Sequence, residues 1–337
     1  YNRKKFQPAE HKKGVPTMAF DGITIAAMVS ELNKNLSGGR INKIAQPEND
    51  ELLITGKGAN GQKRLLLSAS ASLPLIYFTA KNRISPLTAP NFCMLLRKHI
   101  GSARITAIRQ PGLERVVEFE LEHLNELGDV CHKILIMELM GKHSNIIFCD
   151  DQGMILDSIK HVSCNVSSVR EVLPGRPYFI PHTQDKQDPL TISKEDFLEK
   201  VCGRSGAISK ALYQTLTGLS PVMAQEICYR AGVDGNDDSQ MLSHAEKEKI
   251  YAEFSNIIEQ IRREEFTPVI IFKDNEPVEY GVLPFFQYGE GFTAQTFGSV
   301  SEMLETYYAS RDVITRIRQK SADLRKIVQT ALDRNRK

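Results

Sequence analysis

Two opposite charges, Glu114 and Arg115, stand where a turn meets a predicted strand in the stretch PGLERVVEF. Pro111 and Gly112 predict the turn, and an alternating apolar run follows the two charges. An arginine on such a rigid support can bind a phosphate through two parallel hydrogen bonds or stack on a base, and a neighbouring carboxylate can orient it. The alternative is an exposed ion pair without a recognition role, which adds only about 0–1 kcal/mol to stability.

A second cluster of polar side chains follows an apolar run in ELMGKHSNIIF, residues 138–148. Gly141 lets the chain turn there, so Lys142, His143, Ser144 and Asn145 crowd a predicted hairpin tip with hydrogen-bond donors. Such a tip suits contacts with phosphate or ribose, and a solvated turn is the alternative.

The distribution of charge limits where an anionic partner could bind. The chain has 337 residues and a formal net charge of +2. Residues 1–17 carry five Lys or Arg against one acid, and residues 311–337 carry nine against three, so the body between them has a net charge of −8. The sequence is therefore not that of a globally basic nucleic-acid binder, and phosphate contacts must come from local patches or from the C-terminal helix.

Several classes of protein are disfavoured by missing sequence features. No run of 18 apolar residues and no signal-peptide pattern is present, so we expect a cytoplasmic protein without a membrane partner. The six cysteines are scattered without a CxxC pair, which argues against zinc or a disulfide framework. P-loop, G-x-S-x-G and H-E-x-x-H motifs are absent, and GKGANG at 56–61 opens no predicted helix. We therefore predict no metal, no cofactor and no catalytic residue.

Short strand-like runs separated by turn residues predict antiparallel sheet in two sets. The first set is RINKIAQ, ELLITG, RLLLSAS and LPLIYFT, after a helix predicted from the apolar spacing between Ile23 and Leu32. The second set is RITAIRQ, RVVEFEL, HKILIMEL, SNIIFCD and MILDSI. It follows a predicted helix, PNFCMLLRKHI, which starts at Pro90 and carries Arg97 and Lys98.

The second half of the chain is predicted to be mainly helical. Residues 191–263 hold three amphipathic segments, and the first two are joined by the sequence GLSP at 218–221. This is the sequence shape of a helix-hairpin-helix, with an ordinary helical hairpin as the alternative. The strand-like runs PVIIF and VEYGVLPF follow. A helix then starts near Ser299, and its seam from Met303 to Ala331 has the alternating steps of four and three residues that are typical of a coiled coil.

Five segments in this order together resemble one family: MAFDG, APNFCMLLRKHI, GLERVVEF, ELMGKHSNII and LPGRPY. The chain is similar, over about residues 18–337, to the N-terminal part of the RqcH/NEMF family. The resemblance implies an α+β fold with a split N-terminal domain similar to the formamidopyrimidine-DNA glycosylase N-domain. We expect that domain at 18–182 and 267–298, an inserted helix-hairpin-helix domain at 191–263, the start of a coiled-coil helix at 299–337, and a leader or disordered arm at 1–17.

The resemblance also implies a function. Members of this family act in ribosome quality control: they bind a large ribosomal subunit that holds a stalled peptidyl-tRNA. Bacterial members recruit alanyl-tRNA for untemplated alanine tailing of the nascent chain. Peptidyl transfer would be done by the ribosome, so we expect that the chain is not an enzyme.

The site residues follow from the same resemblance. The tRNA-linked residues of the family fall on Asp21, Glu114 and Arg115, and Glu114 stands where the family usually has Asp. Contacts with the RNA backbone are predicted for a further set of polar side chains: Lys142, His143, Asn145, Arg97 and Lys98.

Two other functions compete with this one. Bacterial relatives were long described as fibronectin-binding proteins, so an adhesin with fibronectin as its partner is the alternative, although the missing secretion signal disfavours it. The fold analogy suggests a DNA-binding or glycosylase-like protein. Glycosylases of that class use an N-terminal proline amine as nucleophile, however, and here Ala19 follows Met18.

Overall fold

The computed structural model describes residues 20–181 and 185–310, which fall into two compact units. The first unit comprises the described residues up to Phe266 together with Phe285–Tyr288. The second comprises Thr267–Pro284 and the described residues from Gly289 to residue 310. The predicted leader and the predicted coiled-coil seam beyond residue 310 lie outside the described residues. The domain boundaries expected from the sequence stay a prediction.

One antiparallel sheet of nine strands forms the base of the first unit, in the order β4-β3-β2-β1-β5-β6-β7-β8-β9. The strands are β1 (Arg40–Ala45), β2 (Glu51–Gly58), β3 (Gly61–Ser68), β4 (Leu75–Phe78), β5 (Arg104–Arg109), β6 (Val116–Leu124), β7 (Val130–Glu138), β8 (Asn145–Asp150) and β9 (Ile155–Ser158). All nine were predicted, and the α+β class is confirmed.

The two predicted strand sets are joined in a single sheet, which corrects the expectation of two separate sets. Strands β1 and β5 are the only neighbours in this sheet that are not consecutive in the chain. Their register pairs Arg40 with Arg104, and the Ile41 amide donates to the Ala103 carbonyl at 2.9 Å. The backbone groups on the free edges of β1 and β5 thereby satisfy each other, which local sequence patterns do not reveal.

Two helices pack on this sheet, and both were predicted. Helix α1 (Gly22–Leu36) buries Ile25, Met28 and Leu32, which lie three to four residues apart on one face. Helix α2 (Asn91–Ile100) starts after Pro90 and buries apolar residues including Phe92 and Leu96. The apolar periodicity of each segment therefore identifies the face that it buries.

Four further helices follow the sheet in the same unit: α3 (Lys194–Lys200), α4 (Ile208–Thr215), α5 (Pro221–Ala231) and α6 (His244–Arg262). The last three match the predicted amphipathic segments. Helix α3 was not among them, because Phe197 is the only buried residue in its seven positions and one residue makes no period. Helices α4 and α5 form a hairpin, and its role as a helix-hairpin-helix nucleic-acid motif stays a prediction.

A buried charged cluster fastens the irregular segment after β9 to the sheet. Glu138 at the end of β7 is buried, and its carboxylate accepts hydrogen bonds from Arg170 at 2.5 Å and from the Tyr178 hydroxyl at 3.0 Å. Burial raises the pKa of Glu138, and the charge of Arg170 opposes that shift. The cluster lies beside Val116, the partner of Glu138 in register and the first residue of β6.

The second unit contains a three-stranded antiparallel sheet in the order β11-β10-β12. Its strands are β10 (Val269–Lys273), β11 (Glu276–Gly281) and β12 (Phe292–Thr296). Strand β12 was not predicted, because four of its five residues are exposed and show no apolar alternation. A helix occupies residues 300–310, and it buries the predicted seam residues Met303 and Tyr307.

Across the described ranges, none of the helices combines the length and the apolar character that crossing a bilayer requires.

Loss of Arg170 should destabilise the protein strongly, because it leaves the Glu138 carboxylate buried without its cation. Removing one partner of a buried pair costs about 3–5 kcal/mol. Arg170→Ala should therefore lower the free energy of unfolding in urea by about that amount. Arg176→Ala is the control, since Arg176 pairs with Glu171 at 2.8 Å on the surface and should cost at most ~1 kcal/mol. Equal losses in the two variants would contradict the prediction.

Candidate functional site

Asp21 is the N-cap of α1, and its side chain is buried. Its Oδ1 accepts a hydrogen bond from the Thr24 amide at 2.8 Å, which satisfies one of the free donors at the helix start. Burial raises the pKa of the Asp21 carboxyl, while hydrogen bonds from Thr24 and Ser220 and the charge of Arg115 oppose this shift. The predicted tRNA-linked aspartate is therefore held in a fixed orientation.

Three backbone segments meet at the start of α1. The Gly22 amide donates to the Gly218 carbonyl at 2.9 Å. A Cβ at Gly22 would lie 2.1 Å from the Leu113 carbonyl oxygen, and a Cβ at Gly218 would lie 2.3 Å from the same oxygen. No side chain fits at either position, so two glycines allow the helix start, the turn before β6 and the α4–α5 connection to touch.

Glu114 and Arg115 lie at the end of that turn, directly before β6. The Glu114 amide donates to the Pro111 carbonyl at 3.0 Å, and the Arg115 carbonyl accepts from the Leu139 amide at 2.9 Å. Both side chains are partly buried. Burial lowers the pKa of Arg115, and the charges of Glu114 and Asp21 oppose this shift. Glu114 and Arg115 are thus partly buried and do not form the exposed ion pair that was the alternative prediction. Asp21 is a further carboxyl group whose charge acts on Arg115.

Gln110 ties this turn to the helix. Its side-chain amide donates to the carbonyls of Gly22 and Glu114, at 2.8 and 2.9 Å. One amide thus links the backbone beside Asp21 to the backbone beside Arg115. This contact fixes the relative position of the two predicted residues, although 93 positions separate Asp21 from Glu114 in the chain.

Lys186 and Ser220 also belong to the site, and the sequence did not point to either as a site residue. The Lys186 ammonium donates to the Tyr213 carbonyl at 2.8 Å. Burial lowers the pKa of Lys186, the nearby charge of Arg115 lowers it further, and Glu114 opposes both effects. Ser220 caps α5 by accepting from the Met223 amide at 3.3 Å. The sequence Ser-Pro at 220–221 signals a helix start, but no local signal places that start against Asp21.

The assembled site combines two cations, two carboxylates and the N-termini of α1 and α5. Arginine and lysine can bind phosphate, and carboxylates can accept hydrogen bonds from ribose hydroxyls or base amines. Partial burial strengthens these interactions relative to bulk water. The arrangement is suited to recognising a polar anionic ligand. In the part of the chain that the structure describes, no group of three or more His, Cys, Asp or Glu residues is placed to hold a metal ion.

The predicted hairpin tip lies at the same end of the sheet as Arg115. A short 3-10 turn, Gly141–His143, links β7 to β8, and Lys142 and His143 are exposed there. For Asn145 the structure corrects the prediction, which placed its side chain at the tip as a donor to RNA. It is buried, its side-chain amide donates to the Lys160 carbonyl at 2.9 Å, and its Oδ1 accepts from the Lys160 amide at 3.1 Å. Its polar atoms hold the hairpin to the segment after β9.

Arg97 and Lys98 are not brought to this site. Both are exposed on the last turn of α2, and the Arg97 side chain donates to the Ile44 carbonyl at 2.8 Å. The next residue, His99, has its ring 6.5 Å from that of His123, near the far end of β6. Strand β6 is nine residues long, so Lys98 and Arg115 lie at opposite ends of a strand of about 27 Å.

The chain matches a known family of proteins. The family described as NFACT N-terminal and middle domains matches residues 21–337, and the chain therefore belongs to this family, which includes RqcH and NEMF.

Individual proteins of this family are similar to the chain in sequence. The chain is 35% identical over 321 residues to the Rqc2 homolog RqcH of Bacillus subtilis (strain 168), a match that covers 94% of this chain and 54% of that protein. It is 26% identical over 218 residues to the human ribosome quality control complex subunit NEMF, covering 64% of this chain and 19% of that protein. The chain thus spans about half the length of the bacterial relatives that it matches.

A solved structure is also similar. The N-terminal part of the fibronectin/fibrinogen-binding protein from Streptococcus suis superposes with a TM-score of 0.71 at 32% identity, covering 86% of this chain and 99% of that one. The similarity supports the α+β fold described above. The predicted likeness to the glycosylase N-domain stays a prediction.

The buried state of Asp21 predicts a pH trend. A carboxyl with a raised folded-state pKa favours folding at low pH, and this contribution is lost as the pH rises through that pKa. Asp21→Asn keeps a capping oxygen but cannot titrate there. The unfolding free energy of the wild type minus that of the variant should therefore fall as the pH rises above about 4, the ordinary range of an aspartate, in urea titrations. The exposed Asp151, changed to Asn, is the control and should not reproduce the trend. A difference that rises with pH would contradict the assignment.

Proposed function

We propose that the protein is a ribosome quality control factor that binds the large ribosomal subunit carrying a stalled peptidyl-tRNA and recruits alanyl-tRNA for untemplated alanine tailing. Family membership supports the quality control role, because the matched relatives are named for it. The observation that carries the tRNA assignment is the meeting of Asp21, Arg115, Lys186 and Ser220 at one point, from four separate parts of the chain.

Arg115 is the residue that we assign to direct tRNA recognition. Its planar guanidinium can bind a phosphate with two hydrogen bonds or stack on an unpaired base, and Lys186 adds a second positive charge beside it. Asp21 and Glu114 hold the guanidinium by charge. Glu114 is one methylene longer than the aspartate that is usual in the family, so its carboxylate can reach further from the turn.

The chemistry of tailing belongs to the ribosome in this proposal. The protein would position alanyl-tRNA next to the peptidyl-tRNA, and the ribosome would form the peptide bond. The contribution of the protein would then be binding and orientation, which lower a barrier by arranging the reactants. Such a role is exercised in the cytoplasm.

Fibronectin binding is the second candidate, and one observation favours it. The similar structure from Streptococcus suis belongs to a fibronectin/fibrinogen-binding protein. Purified protein can bind fibronectin without doing so in the cell, so the discriminating measurement is co-sedimentation with large ribosomal subunits from lysate. A protein that pellets with these subunits from cells without any fibronectin has a ribosomal role.

Arg115→Ala should remove most of the recruited tRNA from a protein that still folds. The protein would be purified from cells, its bound RNA sequenced and its melting temperature measured. We expect loss of most co-purifying tRNA and retention of subunit binding through other contacts. The loss in unfolding free energy should be smaller than the about 3–5 kcal/mol expected for Arg170→Ala, because Arg115 is only partly buried. Arg115→Lys keeps the charge but not the two-pronged geometry, and should recover little tRNA.

Arg109→Ala is the matched control for this experiment. Arg109 is an exposed arginine that pairs with Glu120 at 2.8 Å on the neighbouring strand. Its loss removes the same charge and should leave the tRNA yield unchanged. Equal losses in both variants would indicate a general charge effect. A wild-type tRNA yield with a sharply lower melting temperature in Arg115→Ala would make the pair structural.

Lys142→Glu tests the exposed tip at the same end of the sheet. If Lys142 contacts an RNA phosphate, the charge reversal should weaken binding to large subunits and reduce the salt dependence of binding by about one phosphate contact. Folding should be unaffected, because Lys142 is exposed in its turn. Co-sedimentation across a series of KCl concentrations measures both quantities. An unchanged salt dependence would remove Lys142 from the interface.

A further inference from the structure

Three cations lie side by side on the neighbouring strands β2, β1 and β5 of the nine-stranded sheet, near one end of these strands. In the strand register, Lys57 on β2 pairs with Arg40 on β1, and Arg40 also pairs with Arg104 on β5. All three side chains are exposed. Neighbouring strands are about 4.8 Å apart, so the three backbone positions form a row about 10 Å long. We refer to Lys57, Arg40 and Arg104 as the basic row.

This arrangement is unfavourable for the folded protein by itself. Like charges directly opposite each other on neighbouring strands are destabilising. Among the described residues, none of the three forms an ion pair, and Glu122, the register partner of Arg104 on β6, does not pair with it either. The other end of β5 is different, because Arg109 is neutralised by Glu120 on β6 at 2.8 Å. If the basic row had only a structural role, we would expect acidic residues to neutralise it in the same way as Glu120 neutralises Arg109.

A shallow cleft of about 480 Å³ opens beside the row. Arg40 and Lys57 line it, together with Ser37, Asn42 and three glycines, Gly38, Gly39 and Gly58. The side chains of Ser37 and Asn42 can both donate and accept hydrogen bonds. The cleft therefore offers cations for phosphates next to groups that suit ribose hydroxyls.

The basic row and the recognition site lie at opposite ends of α1. The helix begins at Asp21, its N-cap, and ends at Leu36, one residue before the cleft lining starts. Fifteen helical residues span about 22 Å. In the sheet, Arg104 is likewise at the end of β5 that is remote from the turn carrying Arg115. The two surfaces are thus separate, and one extended ligand could contact both.

We propose that the basic row and its cleft form a second RNA contact, which binds the ribose-phosphate backbone without reading sequence. The choice of RNA rests on the proposed function and on the mixture of cations with ribose-compatible polar groups. An acidic protein segment offers carboxylates but no ribose hydroxyls, and it is an outcome of the test. Arginine and lysine side chains on fixed strands present charges at regular spacing, which suits the repeating phosphates of a nucleic acid chain.

Lys57→Glu is the informative variant, because its effects on binding and on stability should differ in sign. The new carboxylate would lie opposite Arg40, so the unfolding free energy should stay the same or rise. Binding of a fluorescent deacylated tRNA to the 337-residue protein, measured by anisotropy at several KCl concentrations, should weaken about tenfold, with a smaller salt dependence. Lys249→Glu, an exposed lysine on α6, makes the same change of charge and should leave binding within about twofold.

Each other outcome overturns the proposal. Equal effects of Lys57→Glu and Lys249→Glu would mean that net charge alone sets the affinity. Unchanged binding in Lys57→Glu would remove the row from the RNA interface. If polyglutamate displaces tRNA as effectively as polyuridylate does, and only from protein with Lys57 intact, the row is a surface for acidic proteins.

Arg115→Ala in the same assay separates this proposal from the proposed function. The row predicts a loss of affinity for both tRNA and polyuridylate in Lys57→Glu. The recognition site predicts a loss in Arg115→Ala that is greater for tRNA than for polyuridylate. If Arg115→Ala still prefers tRNA over polyuridylate while Lys57→Glu binds both more weakly, the recognition site is refuted and the basic row is supported. The reverse result would refute the row and keep the recognition site.

Discussion

The close contact of three backbones at Gly22, Leu113 and Gly218 is the constraint on which the site depends. Leu113 is two residues before Arg115, Gly22 follows Asp21, and Gly218 is two residues before Ser220. Because a Cβ on either glycine would collide with the Leu113 carbonyl, the absence of two side chains determines where the charged groups meet. Salt bridging alone would not achieve this, since long charged side chains hold one geometry poorly.

The electrostatic state of the site follows from that contact. Asp21 is buried, and Arg115 and Lys186 are partly buried, so each loses hydration and depends on its neighbours for compensation. A phosphate that enters beside Arg115 would meet a guanidinium whose orientation is already restricted. Less conformational entropy is then lost on binding than with a free surface arginine. The buried cluster of Glu138 and Arg170 plays a different part, since it anchors the strand next to β6 and stays inside the protein.

Local patterns in the sequence were sufficient for most elements and for the residues before β6. Strands show their apolar alternation within a few residues, so the nine strands of the large sheet and the helices α1 and α2 were predictable. The pairing of β1 with β5, and the approach of Lys186 to Arg115, involve residues 60 or more positions apart, and no short pattern encodes them. Asn145 shows the converse limit: a polar residue beside a turn can be a buried hydrogen-bonding residue as readily as an exposed donor.

The order of strands in the large sheet bears on when the candidate site is completed during synthesis. The nine strands of this sheet form eight pairs of neighbours, and in only one of these pairs, β1 with β5, are the two strands distant in sequence. Each half of the sheet can therefore form from contacts between consecutive segments. The recognition site is different, because its last component is the start of α5 at Ser220. A nascent chain can therefore complete the whole sheet and still lack the proposed recognition site until α5 has left the ribosome that is making it.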